Sequence, residues 1–84
     1  KEIYQDVTTP VFTLASSNNI NGMGIVLRLN TPTSVSFPVS FIAHPNSATL
    51  DATKLNVYTL IYFSNWDGAG TEKVMYTNSL FTAV

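Results

Sequence analysis

The 84-residue chain contains no cysteine. That removes disulfides and thiolate metal sites, and it leaves the redox compartment open. Charge is equally sparse. Four Lys+Arg stand against five Asp+Glu, a net charge of −1, and charged residues make up 11% of the chain where about 25% is usual. Without clustered Lys and Arg a phosphate backbone finds no partner, so nucleic acid is excluded. A single histidine, His44, and five scattered carboxylates do not compose a protein-built metal site, and no cofactor is expected. No apolar run approaches the ~20 residues of a membrane-spanning helix or the shorter core of a secretory signal, so no membrane insertion is expected. Helix signals are missing as well, because Gly, Pro or Asn interrupts every window that might place apolar residues at i, i+3, i+4 and i+7.

What remains is alternation. In Ser34-Val35-Ser36-Phe37-Pro38-Val39-Ser40-Phe41 every odd position is apolar and every even one is Ser or Pro. Successive strand residues point to opposite faces, so this run reads as a strand with one buried and one wet face. Leu55-Asn56-Val57-Tyr58-Thr59-Leu60-Ile61-Tyr62-Phe63 starts in the same way and then fills in on both sides, as a strand with apolar neighbours on both faces would. Seven strands are expected, at roughly 2–7, 10–15, 22–29, 33–43, 54–64, 71–77 and 79–84. Turn chemistry separates them: Thr9-Pro10, the polar stretch from Ser16 to Gly22, Asn30-Thr31-Pro32-Thr33, and Asp67-Gly68-Ala69-Gly70 as a hairpin loop. The longest connection, 44–53, offers Ser47 or Asp51 as the N-cap of a single helical turn. Pro38 cannot donate a ladder hydrogen bond, which makes its strand an edge strand or a bulged one. The fold expected is all-β, a small antiparallel β-sandwich of jelly-roll-like type, in a single domain over 1–84. Because the chain begins at Lys1 rather than Met, it is expected to be part of a longer protein.

The alternation also predicts a core. Inward sets are Met23, Ile25, Leu27 and Leu29; then Val35, Phe37, Val39 and Phe41; then Leu55, Val57, Ile61 and Phe63. Tyr58, Leu60 and Tyr62 are left on the far face, a surplus apolar patch of the kind monomers do not expose. These three residues are the expected oligomer interface. A domain of this size buries only about 60–65% of its unfolded surface, so association is the natural source of further burial.

Few residues suggest chemistry. His44, before Pro45, reads as a turn-capping residue rather than a general base, because no triad can be built around it. The carboxylates Asp51, Asp67 and Glu72 lie in or beside loops, without the paired arrangement that glycoside hydrolysis needs. Neither do Asp51 and Asp67 have the spacing of a calcium loop. The chain is therefore read as non-enzymatic, a hydrolase fragment being the reading set aside. Asn65-Trp66-Asp67 is the one suggestive group: a flat indole for a sugar's C–H face, flanked by an amide and a carboxylate for its hydroxyls. The competing reading is that Trp66 caps the core while the tyrosines pack on a neighbouring subunit, since Tyr and Trp favour interfaces for the same amphipathic reason.

Ser, Thr and Asn replace charge as the polar surface. With the strand Asn19-Ile20-Asn21-Gly22-Met23-Gly24-Ile25-Val26-Leu27-Arg28-Leu29 and the terminal Asn78-Ser79-Leu80-Phe81-Thr82-Ala83-Val84, the text resembles, over its whole length, the end domains of bacteriophage tailspikes and tail fibres. The resemblance implies a homotrimer located on a virion tail or other extracellular surface. Its β-sandwich ends would secure assembly, contact host glycans, or both. It assigns no individual residue. A monomeric carbohydrate-binding module is the alternative.

Overall fold

The computed structural model describes residues 2–5, as a strand, and 22–84. Among the described residues there are five strands: β1 (Glu2–Gln5), β2 (Gly24–Asn30), β3 (Phe41–Ala43), β4 (Leu55–Phe63) and β5 (Lys73–Phe81). They form one mixed sheet in the order β1-β2-β4-β5-β3. The β2–β4 and β4–β5 pairs are antiparallel, whereas β1 on β2 and β3 on β5 are parallel. No helix occurs among the described residues. The fold is all-β, as the alternation predicts, but the described strands make a single layer rather than a two-layer sandwich. The expected strand at 10–15 and the polar loop before Gly22 lie outside the described residues.

Among the described residues one merge lowers the strand count and one break shortens a strand. The expected strands 71–77 and 79–84 are one continuous strand, because Asn78 is a ladder residue and not a turn. The expected strand 33–43 survives only as β3, at the sheet edge. Phe41 N–H donates to the Pro38 carbonyl at 3.0 Å, closing a turn where the proline could not continue a ladder. Val39 consequently sits at the turn with 96% of its surface exposed, not in the predicted core. Asp51 also caps a turn rather than a helix, and Ser47 Oγ accepts from the Asn78 N–H of β5 instead. Asp51 Oδ1 accepts from the Thr53 N–H at 2.9 Å and from the Thr53 hydroxyl at 2.6 Å.

Register fixes which side chains share a face. Leu27 pairs with Tyr58, and Tyr58 with Asn78; Ile25 pairs with Leu60, and Leu60 with Tyr76. Leu27, Leu29, Tyr58, Leu60, Tyr62 and Val74 form the buried cluster. The connection 31–40 leaves β2 and reaches β3 beyond β4 and β5, and on the way Val35 and Phe37 pack onto that cluster. Phe37 is the hub of the covering layer, with ring centroids 4.4 Å from Tyr76, 5.4 Å from Tyr58 and 5.5 Å from Phe41.

Two asparagines anchor the connection 44–54 beneath this layer. Asn56, fully buried, donates through Nδ2 to the carbonyls of Asp51 (2.8 Å) and Lys54 (3.0 Å) and accepts from the Asp51 N–H (3.0 Å). Asn78 donates its amide to Asn56 Oδ1 at 3.0 Å and its backbone N–H to Ser47 Oγ at 2.9 Å. Loop carbonyls thus accept from the Nδ2 of both buried amides, and Asn78 Oδ1 is left without a partner. At the same end of the sheet, where Asn30 pairs with Leu55, Asn30 clasps Val84. Its Nδ2 donates to the Val84 carbonyl at 2.8 Å, and its Oδ1 accepts the Val84 N–H at 3.1 Å.

Candidate functional site

The β4–β5 hairpin loop holds the group singled out by sequence. Asp67 and Asn65 are both engaged within it. Asp67 accepts from the Ala69 N–H at 2.8 Å and from the Thr71 hydroxyl at 2.7 Å, and Asn65 Oδ1 accepts from the Gly70 N–H at 2.7 Å. The Thr71 hydroxyl, then the Ala69 N–H, holds the Asp67 carboxyl below its ordinary pKa. Gly68 and Gly70, at φ of 80° and 83°, supply the left-handed turns that this wrapping needs. Trp66 is 42% exposed and meets Phe63 edge-on, with centroids 5.1 Å apart. The loop therefore presents the indole, while the acceptor oxygens foreseen for sugar hydroxyls are turned to its own backbone and to Thr71.

The expected interface residues lie elsewhere than predicted. Tyr58, Leu60 and Tyr62 are buried within the chain's own core, and Tyr62 donates its hydroxyl to Glu72, which raises the phenol's pKa. The face assignment of β4 is thus inverted. Asn56 is buried with its partners, and that parity carries Tyr58, Leu60 and Tyr62 inward with it.

The surplus face is the opposite one. Its rows run across the sheet as Val26–Thr59–Thr77, Arg28–Val57–Ser79 and Gly24–Ile61–Met75–Ile42. Val26, Val57, Ile61, Met75 and Ile42 are half-buried, and Thr59 is exposed at the centre. Charged positions in register with this face are Arg28 beside Val57, Lys73 beside Phe63 and, on the edge strand β1, Glu2 beside Val26. Phe63 continues the face toward Trp66. Sequence could have found this surface from the odd positions of β4 and β5, had Asn56 and Asn78 been read as buried.

His44 caps a turn, its Nδ1 accepting from the Asn46 N–H at 3.0 Å and its carbonyl from the Ser47 N–H at 2.8 Å. Among the described residues no three of His, Asp and Glu gather as metal ligands. No family model matches the chain, and neither the curated proteins nor the solved structures contain a detectable match.

Proposed function

We propose that this chain is a non-enzymatic assembly domain that associates with further copies of itself through the face centred on Thr59. One observation carries this reading: the middle of that face combines half-buried Val26, Val57, Ile61 and Met75 with Thr59 and Thr77, and holds no formal charge. Identical copies can therefore meet there without like-charge repulsion, and apolar burial at about 25 cal/mol per Å² favours the contact. The chain's own connections already cover the other face. Sheet-on-sheet contact between copies would create between chains the sandwich expected within one. In an attachment protein of the tail-fibre kind that the sequence resembles, three copies are the favoured number. Glycan contact would then be a secondary role resting on the Trp66 ring.

The test is solution mass by light scattering over a dilution series, for the native chain and for Thr59→Lys. An oligomer that becomes monomeric in Thr59→Lys, with unchanged circular dichroism, is the expected result. A native chain that is monomeric at every concentration overturns the reading. The carbohydrate-binding alternative would then gain, supported by the exposure of Trp66, and its check is loss of glycan binding in Trp66→Ala.

A further inference from the structure

A cavity opens on the covered face, away from the face centred on Thr59. It has a volume of about 310 Å³, at the lower end of the roughly 300–1,000 Å³ usual for small-molecule sites. It is about twice the ~150 Å³ of an apolar cavity that accepts benzene. Three aromatic rings, Phe37, Tyr58 and Tyr76, form one wall, and Ser47 and Thr49 bring hydroxyls from the connection 44–54. None of the lining residues among those described is charged.

We propose that this cavity is a binding site for an uncharged, flat aromatic compound of one or two rings. The ring walls set the shape. The Tyr58 and Tyr76 centroids lie 5.9 Å apart at 51°, and Phe37 packs against both. A further ring continues that cluster by offset or edge contacts. The absence of charge sets the second condition, since an ionic guest would lose hydration and meet no counter-charge. Tyr58 keeps its proton well beyond neutral pH, because burial pushes its pKa up to about 12.

The experiment is a titration of the full chain with indole, followed by two-dimensional amide NMR. Saturating shifts at Ala43, Ala48, Thr49 and Tyr76 are expected, with affinity on the order of millimolar or tighter. Ala43→Phe, at an exposed rim position, should weaken binding by at least about tenfold without altering the melting temperature. If that variant does not fold, Thr49→Trp on the exposed loop blocks the same opening. Monomeric Thr59→Lys should bind indole as the native chain does, which separates this site from the assembly face. Shifts that do not saturate, shifts centred on Val26, Thr59 and Thr77, or unchanged binding in the blocked variant would each overturn the proposal.

Discussion

On β4, the side carrying Asn56, Tyr58, Leu60 and Tyr62 is roofed by the chain's own connections, while the side carrying Val57, Thr59 and Ile61 is half-open. The two sides have similar apolar content and differ in how each polar residue is served. Asn56 is held by three bonds to Asp51 and Lys54, and Thr59 faces outward. Apolar composition therefore does not decide which side of this strand is the core. The decision lies with the side where loop carbonyls can satisfy the buried amides, because an unserved amide costs about 1–3 kcal/mol.

Substitutions at adjacent residues put that contrast to the test most severely. Tyr58→Ser should cost roughly 3–5 kcal/mol, as large-to-small core changes do. That removes about half of the stability of a domain whose total is on the order of 5–10 kcal/mol. Val57→Ser, one residue earlier, should leave the fold intact. Denaturant melts of the two variants decide it, and equal losses would mean that the faces are not distinct. Asn56→Ala should cost about 3 kcal/mol, because it orphans the Asp51 N–H, two loop carbonyls and the Asn78 amide together. Amide exchange in 44–54 should accelerate in that variant; if it does not, Asn56 is not what anchors the connection.

Alkaline titration gives a smaller effect. The Tyr58 pKa is raised from 10.0 to about 12 by burial and by the neighbouring Tyr76. Its contribution to stability is therefore complete below pH 10 and is lost as the pH climbs through about 12. Melting temperatures should fall across that window, and Tyr58→Phe should flatten the fall. An unchanged slope would remove the buried phenol as its cause. The smallest effect is a gain. Thr31 follows β2 at φ 47°, a left-handed conformation that a β-branched residue adopts at a cost. Thr31→Gly should relieve about 1 kcal/mol of that strain, provided its N–H keeps the 2.9 Å bond to the Lys54 carbonyl. A lower melting temperature would show that the strain is offset by the threonine side chain.

The strands β2 and β4 were legible because their alternation is long, and the inward residues Ile25, Leu27 and Leu29 follow directly from it. The hairpin loop was legible from Asp67-Gly68-Ala69-Gly70. Asparagine produced two of the main departures, the inversion of β4 and the division of β5. Asn56 and Asn78 carry the composition of surface and turn, and nothing local tells that Asp51, Lys54 and Ala48 will come back to bond them. The pairing is 22 residues apart between the two amides, beyond the reach of a pattern with period two. Val39 departs for a different reason: Pro38 was visible, but whether the strand bulges or turns there depends on the sheet that it meets. The Asn65-Trp66-Asp67 group was visible as a loop, whereas the engagement of its oxygens depends on Ala69, Gly70 and Thr71.

The Asn30–Val84 clasp bears on how the sheet carries load. A pull on Val84 would otherwise peel β5 from β4 one ladder bond at a time. With both polar ends of the Asn30 side chain bonded to the Val84 backbone, tension passes first into β2, on the far side of β4. Two hydrogen bonds at residues 54 apart in sequence then stretch together, so the sheet meets force from that end in shear and not as an unzipping edge.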